Sequence, residues 1–360
     1  MAYTTVDDGS AYFQTATWTG NGSTQSITNG GNSDLQPDWI WTKRRDGDGQ
    51  NHHGIDSTRG ASKAMVLNDV DGEATKSNGI TAFNSDGFSV GTDTNFNNNT
   101  TTYVGWQWVA NSGTTTTNDA SATSVGSIDS VYQANTTAGF SIVTYTGTGS
   151  NGTIAHGLGS TPKWYFVKNR SESSISGTGQ SWIVYHSVMA HGAAMFLNTD
   201  DSKMNHSPFW NSTAPTSTTF SVGTDSRTNT SGDDYIAYCF AEKQGYSKFG
   251  SYVGNANADG PFVYTGFKPA WVMTKNMSNA GGWAIMDTGR SPFNVINEYL
   301  IANTADTESS GQDFDIDSVS NGFKVRYTNG NYNANGSTII YMAFAEHPFV
   351  SSKGVPTTAR

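Results

Sequence analysis

The chain holds a single cysteine, Cys239, among 360 residues, so no disulfide can form within it. Charged residues make up only 14% and hydrophobic ones only 35%. A disordered chain would be charged and poor in aromatics, yet 12% of this one is Phe, Tyr or Trp. Few large rings can fill several small interiors, because each buries far more area than an alanine. Leu, Glu and Lys are scarce, which argues against a helical protein. The net charge of −10 repels phosphate backbones and argues against nucleic acid as a partner. No apolar run is long enough to cross a bilayer as a helix, so membrane insertion is not expected. The N-terminus, Met-Ala-Tyr-Thr-Thr-Val-Asp-Asp, lacks the basic and apolar regions of a signal peptide.

What the chain has instead is Gly, Ser, Thr and Asn between short aromatic and β-branched runs, the texture of strands joined by turns. One pattern recurs three times: Pro37-Asp-Trp-Ile-Trp-Thr-Lys43, Pro162-Lys-Trp-Tyr-Phe-Val-Lys168 and Pro269-Ala-Trp-Val-Met-Thr-Lys275. Proline suits the first position of a strand. Alternation then puts Trp39, Trp41 and Lys43 on one face, as it does Trp164, Phe166 and Lys168, and Trp271, Met273 and Lys275. Each unit opens on an aromatic strand and a Gly turn, as in Trp18-Thr-Gly-Asn-Gly22 and Tyr145-Thr-Gly-Thr-Gly149. Asp-Gly and Asn-Gly turns feed further strands at Phe88 and Phe323. Each unit closes on a dense apolar run: 103–109, 235–242 and 339–346. Such runs read as strands covered on both faces, in the middle of a sheet.

The reading is an all-β chain of three tandem related antiparallel β-sandwiches, jelly-roll or lectin-like, at residues 1–111, 139–245 and 246–360. Residues 112–138, rich in Thr, Ser and Asn, read as a linker. The segment 292–301 reads as a helical turn or two, or as an irregular strand.

Several stretches resemble a repeat domain of structural proteins of marine, cyanophage-like tailed phages. They are Ala11-Tyr-Phe-Gln-Thr-Ala16, Trp18-Thr-Gly-Asn-Gly-Ser-Thr-Gln-Ser-Ile-Thr28, Asp56-Ser-Thr-Arg-Gly-Ala-Ser-Lys63, Phe83-Asn-Ser-Asp-Gly-Phe-Ser-Val-Gly91 and His156-Gly-Leu-Gly-Ser-Thr-Pro162. The third unit keeps Asp287-Thr-Gly-Arg290 but lacks the His-Gly-Leu-Gly turn. The resemblance implies a virion surface protein, made in the host cytoplasm: a tail-fibre, appendage or host-attachment protein with weak glycan contacts. Alternatives are a capsid decoration protein without a ligand and a glycan-degrading tailspike enzyme. It further implies other virion proteins and host surface glycan as partners, and a homo-oligomer on the particle.

No catalytic motif is evident, so no enzyme activity, cofactor or metal is expected. The Trp/Lys face invites a sugar-platform reading, but its recurrence at one register favours core anchors, with the lysines snorkelling at the rim. Asp56 with Arg59, and Asp287 with Arg290, read as braces across turns. Asp46-Gly-Asp-Gly-Gln50 and Asp313-Phe-Asp-Ile-Asp317 suggest calcium by oxygen content, yet fit solvated loops and an edge strand better. The histidines His52, His53, His156, His186, His191 and His206 are scattered without a zinc motif.

Overall fold

The fold is all-β, in antiparallel sheets, as the composition implies. The computed structural model describes residues 2–47, 49–171, 180–311 and 313–357. The first unit comprises β1 (Phe13–Thr19), β2 (Gln25–Ile27), β3 (Trp39–Arg44), β4 (His53–Asp56), β5 (Lys63–Val66), β6 (Ala74–Thr75), β7 (Ile80–Phe83), β8 (Phe88–Val90), one helical turn α1 (Thr94–Asn97) and β9 (Thr102–Trp108). Next come β10 (Thr116–Asn118), α2 (Ala120–Thr123) and β11 (Ser130–Asn135). The second unit follows with β12 (Phe140–Thr146), β13 (Gly152–Ala155), β14 (Trp164–Asn169), β15 (Ile183–His186), β16 (Ala193–Phe196), β17 (Met204–Asn205), β18 (Thr219–Val222), α3 (Ser226–Asn229) and β19 (Asp234–Phe240). The third has β20 (Ser247–Val253), β21 (Phe262–Tyr264), β22 (Phe267–Asn276), β23 (Ala284–Asp287), β24 (Glu298–Ile301), β25 (Ser309–Ser310), β26 (Ile316–Val319), β27 (Gly322–Val325), α4 (Gly330–Asn333) and β28 (Thr338–Pro348).

The large sheets share one strand order. It runs β1-β9-β3-β4-β5-β6 in the first unit, β12-β19-β14-β15-β16-β17 in the second and β20-β28-β22-β23-β24-β25 in the third. A small sheet lies beside each: β2-β8-β7, β13-β18 and β21-β27-β26. The closing strands β9, β19 and β28 pair within their own units, between the opening strand and the Trp-bearing strand. Registers match across units, with Trp39 opposite Trp108, Trp164 opposite Phe240 and Trp271 opposite Phe344.

Alternation explains why those strands are apolar throughout. Ile40 packs with Phe88 and Val90 inside the first sandwich, while Trp39 and Trp41 point the opposite way. Tyr165 and Val167 likewise face the second sandwich's interior, and Trp164 and Phe166 face away from it. The outward faces of the three large sheets meet one another. Trp108, Phe240 and Phe344 form a triad with ring centroids 6.5, 5.9 and 5.6 Å apart, which places one residue from each unit on a pseudo-threefold axis. The separate small interiors expected are present in the first and second units, but they are not the whole core. One aromatic interior is shared by all three units, and both faces of each Trp-bearing strand are apolar because the second face is covered by the neighbouring units.

Two local expectations also change, and a third is resolved. Residues 112–138 are not a free linker, because β10 and β11 add to the edge of the second unit's large sheet beside β12. Their alternating Ser, Val, Tyr and Ala side chains suit an edge strand, and Tyr132 and Ala134 pack on the second unit's interior. Pro269 lies inside β22 rather than at its start, at a register shift against β28 where its missing N–H costs no ladder bond. Of the two readings of 292–301, the strand holds for Glu298–Ile301.

Candidate functional site

The motif lysines point into the seams between units, not to a rim. Lys43, Lys168 and Lys275 are all buried. Lys168 Nζ donates to the Val70 carbonyl of the first unit at 2.9 Å, and Lys275 Nζ to the Asp200 carbonyl of the second at 3.1 Å. Lys43 Nζ approaches the Ala305 carbonyl of the third at 3.4 Å. Each unit thus reaches the same loop of its neighbour, and the cycle closes. The snorkelling expectation fails because the sheet face it assumed to be wet is covered. Burial pushes Lys168 down to about 7 and Lys275 down to about 8.

The same cycle recurs in other contacts. The Glu73 N–H donates to the Arg170 carbonyl, Lys203 to Met277 and Glu308 to Arg45, at 2.9, 3.1 and 2.8 Å. Trp182 Nε1 donates to the Val66 carbonyl and Trp283 Nε1 to the Phe196 carbonyl. His52 takes that place in the first unit. Its Nδ1 accepts from Trp41 Nε1, which can only donate, so the proton sits on Nε2 and is donated to the Ile301 carbonyl at 3.1 Å.

Asp56 and Arg59 form a buried pair at 2.5 Å, as do Asp287 and Arg290. Each carboxylate also accepts a bond from the next unit, Asp56 from the Tyr238 hydroxyl at 2.7 Å and Asp287 from Trp106 Nε1 at 3.0 Å. Glu73 and Glu308 extend the pairs to Arg170 and Arg45 of those same neighbours. The two turn motifs are therefore interface staples as well as braces. At the third seam His186 holds the register position of Asp56 and Asp287, opposite Trp164, so that seam lacks the carboxylate.

Buried histidines carry a consequence for pH. Burial lowers His53 and His156 to about 4 and His186 to about 3, and it depresses His52 in the same direction. An unfolded histidine titrates near 6.5, so between roughly pH 6.5 and 4 the unfolded chain binds more protons than the folded one. Stability therefore falls as pH drops through that window. Each histidine contributes about 1.4 kcal/mol per pH unit there, or about 4 for the three with stated values. Denaturant midpoints at pH 7, 5.5 and 4.5 check this, and a flat profile contradicts it.

The sites repeated on the outside are loop tips at the lysine end of each unit. Asn97, Asn229 and Asn333 are fully buried at equivalent places, each closing a one-turn helix capped by Asp93, Asp225 or Asn329. Their side-chain oxygens accept from the backbone of Asn21, Thr148 and Asn255, at 3.0, 2.8 and 2.9 Å. Their amide nitrogens donate to the carbonyls of Gly91, Gly223 and Tyr327. One asparagine so ties two loops together three times over. The tips it fixes are exposed: 21–24 with 99–100, 148–151 with 231–232, and 255–259 with 335–336. They present hydroxyls, amides and backbone groups, which suit many weak hydrogen bonds to a polar surface. Sequence reading missed these asparagines. The spacing Asp93-Thr-Asn-Phe-Asn97, Asp225-Ser-Arg-Thr-Asn229, Asn329-Gly-Asn-Tyr-Asn333 would have revealed them.

The other candidate chemistry does not assemble. The Trp39, Trp164 and Trp271 indoles are buried, so they form no sugar platform. Among the described residues no group of three or more His, Cys, Asp or Glu is placed to hold a metal ion. In the first Asp-rich loop, Asp46 pairs with Arg44 at 2.9 Å, and Asp48 lies outside the described residues. In the second, Phe314 and Ile316 are buried, Asp313 is exposed, Asp315 is half-buried, and Asp317 lies on the edge strand β26 beside Arg326. His206 pairs with Asp225 at 2.9 Å and His191 with the Tyr185 hydroxyl, far from one another in role. Cys239 is buried, and burial raises its thiol well above the usual range, which leaves it unreactive.

The chain belongs to a family described as a domain of unknown function (DUF7483), whose model matches residues 8–348. One family unit thus spans all three sandwiches. No curated protein and no solved structure matches the chain.

Proposed function

We propose that this chain is a structural protein on the surface of a phage particle, a tail-fibre or appendage component that attaches to host surface glycan through weak polar contacts. The observation that carries the reading is the threefold repetition of one polar loop pair, each copy held by a buried asparagine. Three equivalent weak sites on one rigid body gain avidity that no single site has. The residue motifs shared with phage structural repeats supply the particle. The acidic charge and polar surface fit a body that stays soluble while displayed.

Two measurements test this. Antibodies against the purified chain should label the ends or sides of tails in electron micrographs. The purified chain should also compete with particles for adsorption to host cells, and replacing Asn229 by Ala should weaken that competition several-fold. Labelling spread evenly over capsids would favour a decoration protein instead. Release of reducing sugar from host polysaccharide would favour a tailspike enzyme.

A further inference from the structure

The three seams are equivalent but are not filled alike where the turn after Asp56, His186 or Asp287 meets the opening strand of the next unit. Between the first and second units a carboxamide fills the space. Gln133 of β11 is fully buried and pairs through its backbone with Ile142 of β12. Its Nε2 donates to the Ser57 and Thr58 hydroxyls at 2.9 and 2.7 Å, and its Oε1 accepts from the Gly113 N–H. Asp38 closes the rest, accepting from the Ser57 hydroxyl and from the Ala110, Ser112 and Gly113 N–H groups. Between the second and third units an ion pair takes over. Lys163 stands at the Asp38 position and meets Glu242 at 2.8 Å, and Glu242 also accepts from the Phe249 N–H of β20.

Between the third and first units neither filling is present. Ala270 stands at the Asp38 position, Thr288 at the Ser57 position and Gly289 at the Thr58 position. A cavity of about 350 Å³ lies there, bordered by these three residues, by Phe13 and Thr15 of β1, and by Glu346. Its volume is that of a small-molecule site. Tyr12 and Gly20 bond toward the closing strand, so the odd-numbered residues of β1 direct their backbone groups outward. Thr15 thus presents its N–H and C=O as Ile142 presents its own to Gln133, and neither has a partner among the described residues. Glu346 is already balanced by Lys268 at 2.7 Å, which suits an uncharged ligand. A strand cannot run along this edge as β11 runs along β12. Gln25 stands at the position where Gly152 makes room for Ile128, and its Nε2 takes the outward Thr19 carbonyl at 3.1 Å. The open space therefore admits a compact polar molecule.

We propose that this cavity binds an N-acetylated sugar, one N-acetylhexosamine residue of a glycan. The acetamido group supplies the amide that Gln133 supplies at the first seam. Its carbonyl accepts from the Thr15 N–H, and its N–H donates to the Thr288 hydroxyl, the counterpart of Ser57. The methyl group packs against Phe13 and Ala270, and the ring hydroxyls bond to the Glu346 carboxylate. Each of these groups is buried and idle until the ligand pairs it, which makes the amide the selective feature. The site lies at the other end of β1 from the tip 21–24, so it is separate from the three polar loop pairs and goes beyond them: one pocket for one sugar residue.

The test titrates the full chain with N-acetylglucosamine and with glucose. Saturable binding of the first is expected, with amide exchange at Thr15 slowed, and glucose should bind about tenfold more weakly because it lacks the amide. Thr288→Val removes the hydroxyl while keeping the shape, and Ala270→Leu fills the cavity from a half-buried position. Both should leave the melting temperature nearly unchanged and weaken binding by about tenfold. Asn229→Ala, at a loop tip, should leave this binding as it is, which separates failure of the pocket from failure of the tips. No saturable binding up to the solubility limit of the sugar would overturn the proposal. So would equal binding of glucose, binding that neither pocket variant alters, or a glutamine-bearing peptide that protects Thr15 where the sugar does not.

Discussion

Replacing Phe240 by Ala should destabilise the whole protein by about 3–5 kcal/mol, the usual cost of removing a buried ring. Phe240 stacks on Phe140 at 4.8 Å and lies 5.9 Å from Phe344 of the third unit and 6.5 Å from Trp108 of the first. The cavity would therefore open on the shared axis, where no single unit can collapse to fill it. Each neighbour is held by its own sheet, so relaxation is limited and the loss should lie toward the upper part of that range. Denaturant titration followed by tryptophan fluorescence measures it. A loss under about 1 kcal/mol would mean that the triad does not bear on stability.

Arg290→Met should cost roughly 3–5 kcal/mol, because it leaves a carboxylate buried without its cation. The Arg290 guanidinium is wholly buried, 2.5 Å from Asp287, 2.8 Å from Glu308 and 2.9 Å from the Ile285 carbonyl. Trp106 Nε1 of the first unit bonds the same Asp287 carboxylate, so the strain reaches the seam. Arg45 touches Glu308 from the other side of that seam but is partly exposed. Arg45→Met should accordingly cost about 1 kcal/mol or less. The contrast between the two variants is the informative result. Equal effects would place the energy in the surface pair and not in the buried staple.

The strand pattern was legible in the sequence because its signals are local. The Pro-x-Trp-x-x-x-Lys repeat put Trp39, Trp164 and Trp271 on equivalent strands, and near-continuous apolarity put β9, β19 and β28 in mid-sheet. What lay outside the reach of pattern was the second cover of those strands. Alternation says that Trp41 and Lys43 share a face; it does not say that another unit lies against it. Lys43, Lys168 and Lys275 therefore read as rim residues, although their ammonium groups meet the backbone of a neighbouring unit. Residues 112–138 misled for a related reason. Their Ser and Thr content looks like a linker, but an edge strand needs few apolar residues, since its backbone does the binding. Asn97, Asn229 and Asn333 were hidden in loops that look merely polar, and only their repetition at one distance from an Asp or Asn cap sets them apart.

Scanning calorimetry of the full chain most directly tests whether the three sandwiches form one body. A shared interior and three interlocked seams predict a single transition whose calorimetric and van't Hoff enthalpies agree. Separate transitions, or a calorimetric enthalpy about three times the van't Hoff value, would show that each sandwich melts alone and that the common core does not join them.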